Sequence, residues 1–246
     1  MSSADDDVVR EQISYYQARA GEYDEWFLRQ GRYDRGAEAN ARWHAEVAQV
    51  AARLDAFLAA RGAGGAALEL AAGTGLWTQR LAPHFDHLTA VDASPETLTI
   101  NRERLGAAAD RVRVEVADLF TWRPTRRYDL VFFSFWLSHV PPERFAAFWA
   151  LVGACLAPGG AAFLIDSRYD ASSTARDHQL EGADATQVTR RLNDGAAYRI
   201  VKVFYTPERL RAALADLGWR AEISATPTYF LAGHAAPTAS SSGVSL

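Results

Sequence analysis

The sequence has almost no cysteine and lacks the apolar segments of secreted and membrane proteins. Its 246 residues include one cysteine, Cys155 in "LVGACLAPGG". A single cysteine excludes an intrachain disulfide and a metal site built from cysteines. No apolar run reaches membrane-spanning length, and "MSSADDDVVR" lacks the apolar segment of a signal peptide. We therefore expect a cytoplasmic protein with no membrane partner.

Dense basic clusters are also missing. The 26 Lys and Arg residues are outnumbered by 30 Asp and Glu residues, and the formal net charge is -4. Basic residues occur only in short groups such as "RPTRR" and "RRL". Nucleic-acid-binding proteins usually concentrate positive charge on one surface, because it neutralises phosphates. We expect a small-molecule substrate and no nucleic acid.

The N-terminal quarter has helical periodicity. Apolar residues recur at helical spacing over residues 5 to about 30 and again over 38–60, with interruptions at Gly31 and Gly36. We assign residues 1–62 to an N-terminal helical cap or lid. The main domain is predicted over residues 63–234. Residues 235–246, rich in Ala, Pro, Ser and Gly, are predicted to be a disordered tail.

Beyond residue 63, strand-like and helix-like segments alternate. The predicted strands, in chain order, are "ALELA", "HLTAVD", "VRVEVAD", "YDLVFFS", "AAFLIDS", "YRIVKVFY" and "RAEISATPTYFLAG". The polar residues 170–195 are predicted to form a mobile helix or loop. The alternation predicts an α/β fold, a Rossmann-like seven-stranded and mostly parallel sheet with helices on both faces. The last strand follows a helix closely and is expected to be antiparallel.

The stretch "ALELAAGTGLWTQRLA" combines a strand, a glycine turn and a helix. A dinucleotide fingerprint G-x-G-x-x-G needs a third glycine, which is Thr78 here, and the lysine of a P-loop is absent. The turn therefore suits a ligand with a ribose and no phosphate. An NAD(P)-dependent oxidoreductase is the alternative reading, and Thr78 disfavours it.

Polar residues directly follow several predicted strands. Asp92, Asp118, Ser134 and Asp166 each come at the end of an apolar run. Ligands of open parallel sheets bind outside the carboxyl ends of the strands, so these side chains are expected around one crevice. A carboxylate at Asp92 can accept hydrogen bonds from both ribose hydroxyls.

These motifs together resemble the class I S-adenosylmethionine-dependent methyltransferases. "LELAAGTG", "VDASPETL", "VADLFTW", "YDLVFFSFWLSHVP" and "LAPGGAAFLID" match the family's motifs in order, over residues 65 to about 232. The resemblance implies S-adenosylmethionine as cofactor and S-adenosylhomocysteine as product, with Asp118 and Leu119 at the adenine. It implies these cofactor-binding residues: Tyr23, Glu69, Ala71, Gly73, Gly75, Asp92, Ala93, Asp118, Leu119, Ser134 and Phe135.

The methyl acceptor is expected to be a small molecule methylated on O or N. His139, in the loop after the fourth strand, is the candidate general base, because a neutral imidazole titrates near working pH. The Asn/Asp-Pro-Pro-Tyr/Phe motif of nucleobase and glutamine methyltransferases is absent. No second acid pairs with Asp166, so no metal is expected. The substrate-binding candidates are Tyr15, Tyr16, Arg19, Trp26, Trp136, Asp166 and Arg168.

Structural roles also fit several of these residues. His139 can cap the following helix, Asp166 can simply end its strand, and the N-terminal aromatic residues can belong to a core. The fold can also host a reaction other than methyl transfer, or serve as a non-catalytic scaffold. The sequence leaves a monomer and a homodimer equally open.

Overall fold

The N-terminal region is helical, as predicted. The structure, a computed structural model, describes residues 3–179 and 181–238. Helix α1 covers Ser3–Ala18, α2 covers Tyr23–Leu28 and α3 covers Ala37–Arg61. Arg29 ends α2 in the left-handed conformation, and short 3-10 turns at Ala20–Glu22 and Gly31–Tyr33 join the helices.

Strands and helices alternate through the rest of the chain. The helices are α4 (Thr78–Leu81), α5 (Pro95–Leu105), α6 (Phe145–Cys155) and α7 (Pro207–Asp216). The strands are β1 (Ala66–Leu70), β2 (His87–Asp92), β3 (Val112–Val116), β4 (Tyr128–Ser134), β5 (Leu156–Ser167), β6 (Gln187–Arg191), β7 (Ala197–Val201), β8 (Trp219–Ala225) and β9 (Phe230–Pro237). The side chains of Ser94 and Thr206 cap α5 and α7, as their sequences indicate.

The main sheet has seven strands in the order β3-β2-β1-β4-β5-β9-β8. Strands β1 to β5 pair in parallel, whereas β9 runs antiparallel to both β5 and β8. This confirms the predicted α/β class, the mostly parallel sheet and the antiparallel last strand. The strand order reverses between β1 and β4, and the carboxyl ends at such a point form the crevice in which ligands bind.

Helices cover both faces of this sheet. Successive side chains of a strand point to opposite faces, so the fully buried Phe132 and Phe133 of β4 enter different apolar clusters. Phe133 packs against Phe148 and Trp149 of α6. The cluster around Phe132 contains side chains of α3, α4 and α5. Burial of each such large side chain stabilises the fold by about 1.5–3 kcal/mol.

Several local predictions differ from the structure. "RAEISATPTYFLAG" forms two strands, β8 and β9, because a turn at residues 226–229 reverses the chain. The buried Glu46 carboxylate holds this turn by accepting bonds from the Thr226 hydroxyl and the N–H groups of Thr228 and Tyr229. The helix expected directly after the glycine turn begins only at Thr78, because residues 73–77 form the turn itself.

The segment "YRIVKVFY" does not enter the main sheet. Its first residues lie in β7, which pairs with β6 in a separate two-stranded hairpin. Residues 170–195, predicted to be a mobile helix or loop, therefore contribute the strand β6. Both strands can form there because each provides the backbone partners of the other. Strand β9 continues to Pro237, so residues 235–237 of the predicted tail are strand, and 239–246 lie outside the described residues.

Candidate cofactor and acceptor sites

The glycine turn after β1 has an unusual backbone. Ala71, Gly73 and Gly75 all have positive φ, of 54°, 53° and 87°. For a residue with a side chain such as Ala71 this conformation costs on the order of 1–3 kcal/mol, and such strain clusters at ligand sites. A Cβ on Gly75 would lie 2.8 Å from the Asn101 side chain of α5. Gly75 therefore allows the turn to pack against α5.

Asp92 holds this turn from the end of β2. Its carboxylate accepts hydrogen bonds from the N–H groups of Gly73 and Ser94, both at 2.9 Å. Burial raises the pKa of Asp92, and these backbone bonds oppose the shift because they stabilise the charged form. Each carboxylate oxygen keeps a second lone pair. Asp92 can therefore accept further hydrogen bonds from a ligand.

A cavity of about 690 Å³ opens beside this turn, and we call it the cofactor cavity. It lies at the carboxyl ends of β1, β2 and β4, beneath α1. The structure brings most of the predicted cofactor residues to its wall: Tyr23, Ala71, Gly73, Asp92, Ala93, Asp118, Leu119, Ser134 and Phe135. Phe135, like Ala71, has a positive φ, of 52°. The sequence motifs thus converge on one cavity.

Glu69 and Gly75 do not line the cofactor cavity. Glu69 is 1% exposed in β1, below the turn. Burial raises its pKa to about 8, Thr78 opposes the shift, and its Oε2 atom has no hydrogen-bond partner among the described residues. Burial therefore favours the neutral form of this carboxyl group beneath the turn.

Asp118 combines a structural and a cavity-facing role. Its carboxylate accepts a bond from the Phe120 N–H at 3.0 Å, and its carbonyl accepts bonds from Thr121 and Trp122. These bonds form the turn after β3. The neighbouring Leu119 is buried and supplies an apolar wall, which suits an aromatic base.

A second cavity of about 610 Å³ adjoins the first, and we call it the acceptor cavity. It lies between the N-terminal helices, the segment after β5 and the hairpin β6–β7. The predicted substrate residues Tyr15, Tyr16, Arg19 and Trp26 line it. Four residues border both cavities and mark the junction between them: Tyr16, Tyr23, Phe135 and His139.

Three cations line the acceptor cavity without a counterion. Arg19, Arg190 and Lys202 are each 8% exposed. Within the described chain, no carboxylate lies within 4.0 Å of their charged nitrogens. Arg19 Nε and Arg190 Nη1 are buried without a hydrogen-bond partner. Burial lowers the pKa of Lys202 to about 8. An anion in this cavity would relieve the cost of burying these charges.

His139 lies at the junction with both ring nitrogens in use. Nδ1 is 2.7 Å from the Val201 carbonyl oxygen, and Nε2 is 2.8 Å from the Tyr16 hydroxyl. A carbonyl oxygen only accepts, so Nδ1 carries the proton and Tyr16 donates to Nε2. Burial, with Lys202 nearby, holds the pKa of His139 well below its ordinary value.

Three predicted substrate residues lie elsewhere. Trp136 lines the cofactor cavity and not the acceptor cavity. Asp166 lines neither cavity, because its carboxylate accepts bonds from the Ser138 and Ser167 N–H groups. Arg168 is turned away as well, since its guanidinium donates to the carbonyls of residues 226 and 227.

Hydrogen bonds connect helix α2 of the N-terminal region to the glycine turn. The Thr74 hydroxyl donates to Asp24 at 2.7 Å, and Arg104 of α5 contacts both Asp24 and the Thr74 carbonyl. On the other side, the Trp26 indole donates to the Ser173 carbonyl at 2.8 Å. Tyr23, between these two anchors, is thereby fixed at the junction of the cavities.

Sequence reasoning missed much of the acceptor cavity. Its further lining residues include Tyr33, Ser167, Ser173, His178, Arg190 and Lys202. The residues of β6 alternate between buried and exposed, and the side chains of Val188 and Arg190 are the buried ones. That alternation identifies a strand, yet it gives no sign that the inward arginine faces a ligand.

The fold and this geometry agree with known proteins. A family described as "Methyltransferase domain" matches residues 67–160. The solved DhpI-SAH complex is 35% identical over 94% of this chain and 98% of that chain, with a TM-score of 0.74. The DhpI-SAM-HEP complex gives 36% over the same shares and a TM-score of 0.75.

The chain belongs to the class I S-adenosylmethionine-dependent methyltransferases. The match to DhpI, which spans nearly both chains, carries this assignment and confirms the resemblance and the cofactor inferred from the sequence motifs. The Burkholderia thailandensis 1,6-didemethyltoxoflavin-N1-methyltransferase, with 1,6-didemethyltoxoflavin and S-adenosylhomocysteine bound, shares the fold at 18% identity. It covers 97% of this chain and 91% of its own, with a TM-score of 0.60. No curated protein sequence matches the chain.

The residues of this methyltransferase fit its cofactor. The Asp92 carboxylate suits a ribose, the turn at Gly73 leaves open space where a side chain would lie, and Leu119 suits an adenine ring. Among residues 3–179 and 181–238, no group of three or more His, Cys, Asp and Glu could hold a metal ion. No helix in the same residues is long and apolar enough to cross a membrane.

Proposed function

We propose that this methyltransferase methylates an oxygen atom of a small molecule that carries an anionic group. The observation that carries the proposal is the set of uncompensated cations, Arg19, Arg190 and Lys202, in the acceptor cavity. Buried charges are normally paired, so an acceptor that supplies the missing negative charge is favoured. The lining of the cavity combines aromatic side chains with a few charged and hydroxyl groups, as small-molecule sites do.

The charges also favour oxygen over nitrogen as the methylated atom. Nearby cations lower the pKa of an acidic O–H group and so provide an oxyanion. An amine is disfavoured, because it must bind close to like charges. The DhpI-SAM-HEP complex supports the small-molecule part of the proposal, since that relative binds a second compound, HEP, together with SAM.

The chain's own residues would bind, orient and enclose the reactants. Bound S-adenosylmethionine supplies an electrophilic methyl group: the acceptor oxygen bonds to its carbon while the carbon–sulfur bond breaks and the electron pair leaves on sulfur. The cations of the acceptor cavity hold the anion, and the aromatic residues Tyr16, Tyr23 and Phe135 enclose the junction. Alignment and exclusion of water are the main contributions to such a displacement.

We also propose that the cofactor residues identified from the sequence act as inferred, with Asp92 at the ribose and Asp118 and Leu119 at the adenine. Small anions, and not nucleic acids, are the proposed partners, because three buried cations line a cavity while the exposed basic residues occur only in short groups along the sequence. We propose a cytoplasmic protein that is either a monomer or a homodimer. Sedimentation velocity distinguishes these two states.

The test is a methylation assay with small acceptors that differ in charge. The enzyme is incubated with S-adenosylmethionine and matched acids, alcohols and amines, and products are detected by mass spectrometry. Acids are expected to gain one methyl group, whereas uncharged analogues and amines are not. Methylation confined to neutral or cationic acceptors would overturn the anionic assignment, and cofactor consumption without a methylated product would indicate another reaction.

Two matched variants test whether acceptor binding requires a positive charge inside the acceptor cavity. Lys202→Met removes a cation that lines the cavity. Arg199→Met removes an exposed neighbour that pairs with Glu11 outside it. We expect only the first variant to raise the KM of an acid acceptor. Equal effects of the two variants would contradict the assigned site.

A further inference from the structure

His139 is the residue whose sequence-based role the geometry changes most. A general base needs a nitrogen lone pair that faces the acceptor. Nδ1 carries a proton directed at the Val201 carbonyl, and the lone pair of Nε2 already receives the Tyr16 proton. Neither nitrogen has a free lone pair for an acceptor molecule.

The surrounding charges disfavour an imidazolium. The cations around His139 are Lys202, which directly follows β7, Arg190 of β6, and Arg19, which directly follows α1. The nearby carboxylate of Asp166 is occupied by backbone N–H groups of residues 138 and 167. A proton moved onto His139 would create a fourth positive charge in this buried region. The ring therefore stays neutral at working pH.

The backbone around the ring is fixed by a neighbouring glutamine. Gln12 of α1 donates to the His139 carbonyl at 3.2 Å and accepts from the Val201 N–H at 3.0 Å. Helix α1 therefore connects both ends of the hydrogen bond between His139 and Val201. This arrangement favours one ring orientation and one tautomer.

The consequence falls on Tyr16. Because its proton is directed at His139, the hydroxyl oxygen of Tyr16 has only lone pairs left for other partners. Tyr16 borders both cavities. An oxygen in this state attracts positive charge and hydrogen-bond donors and cannot protonate a nucleophile.

We propose that His139 is a positioning residue that, in its neutral form, holds the Tyr16 hydroxyl so that its oxygen acts only as a hydrogen-bond acceptor at the junction of the cavities. The proposal rests on the proposed function for the identity of the ligands. It adds that no base acts at this position and that Tyr16 favours the positively charged cofactor over its neutral product. A base is unnecessary if the acceptor binds as an anion.

The first test compares the two forms of the cofactor. Calorimetric titration gives the Kd of S-adenosylmethionine and of S-adenosylhomocysteine for wild type, Tyr16→Phe, His139→Ala and His139→Gln. A weak contact of a polarised C–H group with oxygen predicts about a fivefold loss of S-adenosylmethionine affinity in Tyr16→Phe, with S-adenosylhomocysteine changed by less than about twofold. His139→Ala is expected to behave likewise. Glutamine can accept from Tyr16 and donate to Val201, so His139→Gln is expected to restore the preference.

The second test observes the ring directly. Nitrogen-15 spectra of the histidine side chains, with S-adenosylhomocysteine bound, are expected to show His139 as the neutral Nδ1–H tautomer between about pH 6 and about pH 8. Titration of His139 within this range would overturn the proposal. So would equal losses of affinity for both cofactor forms in Tyr16→Phe, since a purely structural defect has that effect.

The third test separates positioning from base catalysis. Once an acceptor is known, His139→Gln is expected to retain kcat within about threefold of wild type and the same pH profile, because glutamine preserves the hydrogen bond. A loss of about 100-fold or more would assign His139 as a base. His44→Gln, on the exposed face of α3, and Tyr169→Phe, outside both cavities, are the controls for each residue type.

The outcomes distinguish this inference from the proposed function. Failure of wild type to bind S-adenosylhomocysteine would contradict the cofactor site itself. Normal binding with no preference change in Tyr16→Phe would contradict only the role of Tyr16 and His139. If His139→Ala does not fold, as judged by its thermal midpoint, Tyr16→Phe and His139→Gln carry the test.

Discussion

The cofactor cavity and the acceptor cavity are built in different ways. The cofactor cavity lies against the ends of adjacent parallel strands, and its polar groups are already bonded to the backbone, as Asp92 is to Gly73 and Ser94. The acceptor cavity is enclosed by segments far apart in the sequence, and its cations have no carboxylate partner within the described chain. The fold itself provides hydrogen-bond partners for the polar groups of the cofactor cavity, whereas the positive charge of the acceptor cavity requires a ligand to balance it.

The largest expected effect is on the cofactor cavity. Asp92→Ala removes the carboxylate that holds the glycine turn and could accept from a ligand. Two hydrogen bonds to a charged group are worth about 3 kcal/mol, or about a 100-fold change in Kd. We expect a loss of that size in S-adenosylhomocysteine affinity by calorimetry. If Asp92→Ala binds S-adenosylhomocysteine with unchanged affinity, the cofactor does not bind in the cavity beside Asp92, as we infer that it does.

The second largest expected effect is on acceptor binding, with cofactor binding unchanged. Lys202→Met removes one of its cations, and loss of a charge-assisted contact predicts an increase in acceptor KM of about 30-fold. The Kd of S-adenosylhomocysteine should stay within about twofold, because Lys202 does not line the cofactor cavity. A parallel loss of cofactor affinity would show that the cavities are not independent.

Lys202→Met is expected to weaken acceptor binding but to increase the stability of the folded protein. The pKa of Lys202 is about 8 in the folded protein, below its ordinary value of 10.5, because burial disfavours the charged form. The folded state therefore binds fewer protons than the unfolded state between these values, and its stability rises with pH from about 8 to about 10.5. Below about pH 8 the full penalty applies. Lys202→Met is expected to raise the thermal midpoint at about pH 7 and to remove the rise in stability at alkaline pH.

Glycine substitutions compare the two regions directly. Gly75→Ala places a Cβ 2.8 Å from the Asn101 side chain at a φ of 87°, so we expect it to destabilise the protein by about 2–4 kcal/mol. Gly195→Ala, at the turn between β6 and β7, has a similar φ of 89° and no atom within 4 Å of its Cβ. Its expected cost is about 1 kcal/mol, from backbone strain alone. Urea unfolding measures both; equal costs would contradict the close packing at Gly75.

The smallest expected effect is the pH dependence of acceptor binding. Lys202 loses its proton as pH rises through about 8 in the free enzyme. An anion bound beside it raises that pKa again, so the acceptor KM should increase by about threefold to tenfold above about pH 8. The increase should be absent in Lys202→Met. A pH profile of KM that is identical in the two proteins would assign the dependence to the acceptor or to another group.

The cofactor region could be predicted from the sequence because its residues follow local rules. Asp92 and Asp118 each come directly after an apolar strand, and parallel strands bring their carboxyl ends to the same edge. Ser94 caps the next helix through a bond that needs only neighbouring residues. The errors in this region are small, as with the delayed start of α4.

Much of the acceptor region could not be predicted, because the segments that enclose it beyond the N-terminal helices meet only in the folded chain. The sequence pattern predicts that Lys202 belongs to a strand of the main sheet. In the structure it directly follows β7, which pairs with β6, and its Nζ donates a hydrogen bond to the Ser138 hydroxyl at 2.8 Å. Their position at the carboxyl end of β5 predicts that Asp166 and Arg168 contact the acceptor. The Asp166 carboxylate and the Arg168 guanidinium both form hydrogen bonds with backbone groups, and no local sequence pattern indicates those partners.

The sequence by itself determined the α/β sheet, the glycine turn and the acids at the strand ends, because each depends on local pattern and on the parallel order of consecutive strands. The resemblance of its motifs to a known family added the class of cofactor. Only the tertiary structure decided what surrounds the acceptor. It brought Arg19, at the end of α1, together with Arg190 and Lys202, in and directly after the hairpin, and it joined Tyr16 to His139 across more than a hundred residues. The physical reason is that burial and long-range hydrogen bonds, and not residue type, set the charge and the proton positions of such a site.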